Sequence, residues 1–121
     1  MYELTVTANF SAAHAIRINQ REEPVHGHNW HVTAAIVGAE LDSNDLLVDF
    51  HQVEGWLHDI VAPFHNQHLN TVAPFDRVNP TAERVAEHIA RQLAQQLPVH
   101  VQLKSLCVTE APGCCACYLP E

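Results

Sequence analysis

Residues 2–14, YELTVTANFSAAH, alternate between apolar and polar side chains along their whole length. One face of this row carries Tyr2, Leu4, Val6, Ala8, Phe10 and Ala12. A period of two over this length predicts a half-buried β-strand. Residues 26–38, HGHNWHVTAAIVG, alternate in the same way up to Gly38, and the polar stretch 15–25 between them predicts a loop. Two long strands joined in this way are expected to pair.

The hydrophobic period changes after residue 48. Apolar residues at three-and-four spacing predict a helix over residues 49–62, with Asp49 near its N-cap. A second helix is predicted to start at the sequence Asn-Pro-Thr-Ala-Glu, with Asn79 as its cap and Pro80 at the first helical position. Its apolar stripe continues to Pro98, which cannot extend a helix and therefore ends it.

Two further strands are predicted at the end of the chain, over residues 99–110 and 114–119, on either side of the Pro112-Gly113 turn. The element order is therefore ββααββ. The simplest packing of these elements is an α+β fold, a four-stranded antiparallel sheet with two helices packed on one face. The length of 121 residues fits a single domain over residues 1–121.

Charge and hydropathy exclude several classes of partner. The net charge is −8 and the six lysine and arginine residues are scattered, so the chain lacks the basic face of a nucleic-acid-binding protein. The same acidic balance disfavours binding to anionic lipid. The N-terminus does not resemble a signal peptide, and no apolar run is long enough to cross a bilayer. We therefore expect a cytoplasmic protein whose partner is a small molecule or another copy of itself.

The four cysteines lie close together near the end of the chain, at Cys107, Cys114, Cys115 and Cys117. A secreted disulfide framework spreads its cysteines through the sequence, so this clustering predicts free thiols in a reducing compartment. The run Cys-Cys-Ala-Cys lacks the two-residue separation of a zinc knuckle, which disfavours a second metal site here.

Ten histidines in 121 residues are the anomaly of the composition. His26 and His28 are two residues apart on a predicted strand and therefore share a face. His14 ends the apolar row of the first strand, so pairing of the two strands brings all three imidazoles to one end of the sheet. Three neutral imidazoles with an open fourth position are typical of a catalytic Zn²⁺ site. Gly27, between two of them, is expected where the backbone passes close to another group.

Short motifs along the chain carry a family resemblance. In order they are Phe10-Ser11-Ala12-Ala13-His14, His26-Gly27-His28-Asn29-Trp30, Asp49-Phe50, Leu69-Asn70, Asn79-Pro80-Thr81-Ala82-Glu83 and Thr109-Glu110. Together they resemble the 6-pyruvoyl-tetrahydropterin synthase and 6-carboxytetrahydropterin synthase family over nearly the whole chain. The resemblance implies the tunnelling fold (T-fold), with the element order predicted above. It also implies homotrimers that pair into homohexamers, with pterin sites between subunits.

The resemblance implies a role for each matched position. His14, His26 and His28 would be the zinc ligands, and Glu110 would anchor the pterin. A carboxylate can accept hydrogen bonds from both the amino group and the ring N–H of a pterin. Thr81 would contact the pterin, although it is equally suited to cap the second helix. The implied activity is a zinc-dependent lyase that acts on 7,8-dihydroneopterin or its triphosphate. Its product would be 6-carboxytetrahydropterin or 6-pyruvoyl-tetrahydropterin, and queuosine biosynthesis is one of the pathways left open.

The first departure from the family pattern concerns the catalytic cysteine. Glu22 occupies the position of that cysteine, and the chain has no cysteine before Cys107. Glu23 instead begins the motif Glu-x-x-His-Gly-His, which resembles that of a family subgroup with a glutamate in place of the catalytic cysteine. Enzymes of that subgroup cleave the dihydroneopterin side chain to leave 6-hydroxymethyl-dihydropterin. Glu23 and Glu22 are therefore candidate catalytic residues, and a partly buried carboxylate can act as a general base.

The second departure affects the family's Asp-His dyad. The chain reads Phe-His-Asn-Gln-His-Leu-Asn over residues 64–70, so His65 takes the position of the aspartate and Asn66 that of the histidine. His65 is a candidate acid or base, and His68 and His51 are alternatives. These losses leave two other hypotheses open. One is a pterin-binding homologue without turnover, and the other is a plain metal-binding module.

Overall fold

The computed structural model describes all residues, 1–121. Two helices pack on one face of a five-stranded sheet, so the predicted α+β class and the helix positions are confirmed. The elements in chain order are β1 (Tyr2–His14), β2 (Arg17–Ile18), β3 (Arg21–Glu22), β4 (His26–Gly38), α1 (Phe50–Val61), β5 (Gln67–His68), α2 (Ala82–Gln96), β6 (Gln102–Ala111) and β7 (Cys114–Tyr118). Short 3₁₀ turns follow α1 and β5, at Ala62–Phe64 and Leu69–Thr71.

The predicted strand pair is the centre of the sheet. β1 and β4 are antiparallel over their full lengths, from Tyr2 opposite Gly38 to His14 opposite His26. The order of strands across the sheet is β5-β1-β4-β6-β7. The prediction of four antiparallel strands was wrong in one respect, because β5 adds a parallel edge strand beside β1 and makes the sheet mixed. Only two residues of β5 pair with β1, too few to show an alternating pattern in the sequence.

The core lies between the helices and one face of the sheet. The apolar row of β1 contributes Phe10, that of β4 contributes Trp30 and Ile36, and all three are almost completely buried. From the helices, the buried residues are Val53, Leu57 and Val61 on α1 and Val85, Ala86, Ile89, Ala90 and Leu93 on α2. The alternation that predicted the strands therefore also indicated which face of each strand is buried.

The helix caps agree with the prediction for α1 and differ for α2. Asp49 caps α1, because its side chain accepts a hydrogen bond of 2.9 Å from the backbone N–H of His51. The prediction that Asn79 caps α2 was wrong. Thr81 is the N-cap, and its hydroxyl accepts a hydrogen bond from the backbone N–H of Arg84. The side chain of Asn79 instead binds the chain just after β1.

Two local predictions about the connecting segments were also wrong. The expected loop over residues 15–25 contains the hairpin β2–β3, whose turn residues Asn19 and Gln20 both have positive φ, as a type I′ turn requires. The four cysteines are not all free, since Cys107 and Cys117 are directly opposite in β6 and β7 and form a disulfide. Neither helix has the length and apolar character needed to cross a membrane.

Candidate metal centre

Three imidazoles meet at the end of the β1–β4 pair. His14 and His26 are register partners, and His28 follows on the same face of β4. The Nε2 atoms of His14 and His26 are 3.1 Å apart. Together with a carboxylate oxygen of Glu110, the ligand atoms of the three histidines all lie within 4.8 Å of one another. The convergence predicted from the sequence is therefore present in the structure.

Backbone carbonyls fix the orientation of two of the rings. The Nδ1–H of His14 donates to the carbonyl oxygen of Pro80 at 2.8 Å, and the Nδ1–H of His26 donates to that of Pro24 at 3.0 Å. A carbonyl can only accept, so these contacts place the proton of each neutral ring on Nδ1. Both Nε2 atoms then present bare lone pairs to each other. This arrangement of ring and outer hydrogen bond is the usual one for metal-binding histidine.

Glu110 brings a negative charge to the same point. It lies at a register irregularity between β6 and β7, and such bulges redirect a side chain. Its Oε1 is 2.8 Å from Nε2 of His28 and 3.0 Å from Nε2 of His14. The contact with His28 is close but not aligned as a hydrogen bond, so the buried Nε2 of His28 has no hydrogen-bond partner. This nitrogen is thus available as a metal ligand in the tautomer that carries its proton on Nδ1.

The protonation state of His28 suits a metal ligand. Burial, the largest influence, lowers the pKa of His28 from 6.5. The nearby His14 and His26 act in the same direction, and the carboxylate of Glu110 opposes them. The neutral imidazole is therefore the favoured form at neutral pH, and the neutral ring is the form that binds a metal.

The donor set fits a zinc ion. Bare lone pairs of two imidazoles at 3.1 Å repel each other unless a cation lies between them. Zinc–nitrogen bonds of about 2.0–2.1 Å in a tetrahedral site place neighbouring ligand atoms roughly 3.3 Å apart, close to the separations seen here. Three histidine nitrogens and one carboxylate oxygen are ligands that zinc prefers. This side-chain cluster, His14, His26, His28 and Glu110, is called the histidine cluster below.

An aromatic platform supports the histidine cluster from the core side. The ring of the buried Trp30 is 5.0 Å from that of His14 and 5.8 Å from that of His28, edge-on in both cases. Its indole N–H donates to the carbonyl oxygen of Ala12. Trp30 therefore holds two of the three rings in place and keeps water from their inner side, as the apolar shell of a metal site does.

Two asparagines hold the chain that leaves His14. The side-chain amide of Asn70 both accepts from the N–H of Ala15 at 2.9 Å and donates to its carbonyl at 2.7 Å. The amide of Asn79 does the same to Arg17, at 2.8 and 2.9 Å. Each asparagine thus replaces a strand partner for a segment that has left the sheet. The sequence motifs contain both residues, but their spacing alone does not reveal these contacts.

The structure separates the two candidate glutamates. Glu23 lies beside the histidine cluster, with its Oε1 3.7 Å from Nε2 of His26, and the backbone N–H of Ile16 donates to the same oxygen at 3.2 Å. About a third of the Glu23 side chain is exposed. Glu22 is exposed on the hairpin strand β3 and makes no contact with the histidine cluster in the structure. Only Glu23 can approach a substrate that binds at the histidine cluster.

The other candidate residues predicted from the sequence differ in their exposure and in their contacts. His65 is exposed at the sheet edge, and its Nδ1 accepts a hydrogen bond from the backbone N–H of Ser11. That nitrogen is therefore already hydrogen-bonded within the protein. His51 is on the surface beside Glu54 and is not part of the histidine cluster. His68 is partly buried, its Nε2 has no hydrogen-bond partner, and it borders the same groove as His28. Thr81 caps α2, next to the Pro80 carbonyl that holds His14.

An open groove of about 550 Å³ borders the histidine cluster. It is lined by Ser11, Ala12, Ala13, Gly27, His28, Asn29, Asn66, Gln67 and His68. This volume is within the usual range for sites that bind small molecules. Gly27 has no tight contact with another protein group, because an added Cβ there would meet only the carbonyl oxygen of Ala12, at 4.0 Å; its predicted close approach to another group stays a prediction for a ligand in the groove.

The fold and the histidine cluster define an α+β protein with a candidate metal centre at one end of its sheet. The chain belongs to the 6-pyruvoyl tetrahydropterin synthase family, whose model matches residues 3–121. The family membership predicted from the motifs is therefore confirmed.

Two relatives in sequence carry different names. The chain is 31% identical over 103 residues to the dihydroneopterin monophosphate aldolase of Pyrococcus furiosus. The matched region covers 85% of this chain and 84% of the relative. It is also 31% identical over 91 residues to a putative 6-carboxy-5,6,7,8-tetrahydropterin synthase of Archaeoglobus fulgidus, with 75% of each chain covered.

Solved structures agree on the fold. The 6-pyruvoyl tetrahydropterin synthase of Caenorhabditis elegans has a TM-score of 0.86 at 18% identity, and covers 99% of this chain and 96% of its own. The 6-pyruvoyltetrahydropterin synthase of Plasmodium vivax, in a variant with a catalytic glutamate replaced by cysteine, has a TM-score of 0.80 at 16% identity. The match covers 97% of this chain and 96% of the P. vivax chain. At these identities the likeness shows the fold alone.

Proposed function

We propose that the protein is a zinc-dependent enzyme that acts on the side chain of 7,8-dihydroneopterin or of one of its phosphate esters. The observation that carries this proposal is the histidine cluster, in which three imidazole nitrogens and one carboxylate oxygen lie within 4.8 Å of one another. When bound there, zinc would supply Lewis-acid polarisation of the hydroxyls on the pterin side chain. His14, His26 and His28 would hold the ion.

The reaction that this site supports best is aldol cleavage, and Glu23 is its general base. Glu23 is the only carboxylate beside the histidine cluster other than Glu110, and it is tied to Ile16 so that its position is fixed. The chain has no cysteine near the site that could take this role. A relative named as an aldolase, and a glutamate named as catalytic in the P. vivax enzyme, support the same choice.

The proton balance of this cleavage needs one base. Glu23 would remove the proton from the hydroxyl on the second carbon of the side chain. The bond between the first and second carbons then breaks, and the second carbon leaves as part of an aldehyde. The electron pair stays on the first carbon, delocalised into the pterin ring, and that carbon takes up a proton. The products are 6-hydroxymethyl-dihydropterin and a two-carbon aldehyde, and Glu23 can return the proton it removed.

Substrate recognition would use Glu110, Thr81 and groups at the border of the groove. The carboxylate of Glu110 can accept hydrogen bonds from the amino group and the ring N–H of a pterin at the same time. In the structure its Oε1 faces His14 and His28, so binding of a pterin would require it to turn away from them. His68, with its unpartnered Nε2, is better placed than His65 to act as an acid.

We also propose one domain and a homo-oligomer, trimer or hexamer, with sites at subunit contacts.

The decisive experiment analyses products by mass. Zinc-loaded protein is incubated with 7,8-dihydroneopterin, its monophosphate and its triphosphate in parallel. We expect 6-hydroxymethyl-dihydropterin with release of a two-carbon aldehyde or its phosphate ester. Formation of 6-carboxytetrahydropterin or 6-pyruvoyl-tetrahydropterin would replace the aldolase by the synthase, the second candidate, which the A. fulgidus relative favours. No conversion of any of the three substrates would end the enzyme hypothesis.

The role of Glu23 is tested by Glu23→Gln, with Glu22→Gln as the matched control. Glutamine keeps the oxygen that accepts from Ile16, so the fold and the zinc content should not change. Loss of a general base lowers the rate by about 10²–10⁴-fold. The exposed neighbour Glu22 should tolerate the same change without loss of activity. Equal rates in the two variants would remove Glu23 from the mechanism.

A further inference from the structure

Three cysteines form a second group of potential metal ligands, on the other face of the sheet. Leu106 and Val108 of β6 are buried under the helices, so Cys107 between them points to the opposite, open face. Cys117 lies directly across from Cys107 in β7, and Cys115 is two residues earlier on the same side of that strand. The three sulfur atoms all lie within 4.8 Å of one another.

The sequence spacing concealed this arrangement. Cys-Cys-Ala-Cys is not a zinc-knuckle spacing when it is considered alone, and neighbouring strand residues point to opposite faces. The third thiol comes from the partner strand, eight residues before Cys115 in the sequence, through the Pro112-Gly113 turn. Cys114 is adjacent to Cys115 and is not one of the group, although it is also exposed.

The oxidised form cannot use all three sulfurs. Cys107 and Cys117 are joined as a disulfide, which leaves Cys115 as the only thiol of the group. An external dithiol can reduce this bond: the disulfide takes up two electrons and two protons, and the dithiol becomes a disulfide. Reduction therefore converts one thiol into three on a rigid hairpin, and each can lose its proton when it binds a cation.

We propose that reduced Cys107, Cys115 and Cys117 form a redox-gated site for a thiophilic cation such as Zn²⁺. Thiolates are the ligands that such ions prefer, and zinc–sulfur bonds of about 2.3 Å place neighbouring sulfurs roughly 3.8 Å apart. The cluster already holds its sulfurs within 4.8 Å, so small side-chain rotations suffice. The fourth position stays open to solvent, since Cys115 and Cys117 are exposed. This site shares no residue with the histidine cluster.

The test uses the full chain with its histidine cluster first filled with Zn²⁺. Cd²⁺ is then titrated into protein kept oxidised and into protein reduced with a phosphine, which does not supply a competing thiol. Cadmium–thiolate bonds give an ultraviolet charge-transfer band that histidine and carboxylate ligands do not give. We expect one equivalent of Cd²⁺ with this band in the reduced protein and none in the oxidised protein.

Matched variants assign the band to the three cysteines. Cys115→Ser should remove about a third of the band and weaken Cd²⁺ binding at least tenfold, whereas Cys114→Ser should behave as the unmodified chain. Circular dichroism of each variant checks that the fold is kept. The proposal is overturned if reduction produces no thiolate band, or if the two serine variants bind Cd²⁺ equally.

Discussion

The two ends of β4 have the same alternation of side chains and serve different purposes. At the far end, Ile36 is completely buried and Gly38 packs closely against Leu47, so this end contributes to stability. At the near end, the inward row continues as His28 and His26, whose nitrogens face other lone pairs and a carboxylate. One strand thus passes from a packed core to a site that is unfavourable until a cation binds. A local conflict of this kind is typical of a functional site.

Single truncations at the two ends should lower different quantities, zinc affinity at one end and folding stability at the other, and this is the largest expected difference. His28→Ala removes one of the proposed metal ligands, so zinc affinity should fall by more than about 100-fold, since loss of outer-shell partners alone costs 10–100-fold. Ile36→Ala should retain one zinc per chain and lose about 2–5 kcal/mol of unfolding free energy, because it leaves a cavity in the core.

Zinc competition titrations and denaturant unfolding measure the two quantities on the same samples. Both variants should be compared after removal of metal, so that loss of bound zinc is not counted as loss of packing. A His28→Ala variant that binds zinc as tightly as the parent chain would contradict the distinction between the two ends.

A pair of glycine substitutions tests the same distinction with a smaller effect. A Cβ at Gly38 would lie 2.6 Å from Cδ1 of Leu47 and 3.1 Å from the carbonyl oxygen of His100. Overpacking of this kind costs about 1–3 kcal/mol, so Gly38→Ala should lower the midpoint of denaturant unfolding. Gly27→Ala meets nothing closer than 4.0 Å and should leave that midpoint nearly unchanged. Equal losses of stability in the two variants would show that the near end is packed as tightly as the far end.

The smallest effect concerns His88, a partly buried histidine outside the histidine cluster. The ring of His88 on α2 packs edge-on against the rings of Phe64 and Phe75, and burial lowers its pKa from 6.5. The unfolded chain therefore binds a proton at higher pH than the native one. Its contribution to stability is present above pH 6.5 and is lost as the pH falls below that value towards the native pKa. Thermal unfolding between pH 5 and pH 7 should show a weaker pH dependence for His88→Leu than for the parent chain.

That prediction has a control within the chain. Gln95 is exposed on the surface of α2 and has no titratable group, so Gln95→Leu should leave the pH dependence of thermal unfolding unchanged. Parallel stability curves for His88→Leu and the parent protein over this pH range would mean that the His88 ring does not titrate as described.

Periodic features of the sequence predicted the fold well. The strict alternation of β1 and β4 indicated both strands and their buried faces, and the three-and-four spacing indicated both helices. Short elements were not predictable, because β5 has two residues and β2–β3 depends on two residues with positive φ that are not glycine. The cap of α2 was misplaced from Thr81 to Asn79, since either residue type can cap a helix.

The candidate site was predictable in part for a similar reason. Strand periodicity is sufficient to bring His14, His26 and His28 together, so their convergence follows from the sequence. The approach of Glu110 depends on a bulge in β6, and the disulfide depends on the register of β6 with β7. Neither register nor bulge can be derived from an alternating pattern alone. The separation of Glu23 from Glu22 likewise depends on the hairpin turn that precedes them.

X-ray absorption at the zinc edge of the purified, oxidised protein tests the central claim most directly. We predict one zinc per chain, with three imidazole nitrogens and one further oxygen at about 2.0–2.1 Å and no sulfur in the first shell. The same measurement on His28→Ala should show one imidazole fewer or no bound zinc. A purified protein without zinc-binding capacity, or a zinc bound by sulfur in the oxidised chain, would contradict the proposed metal centre.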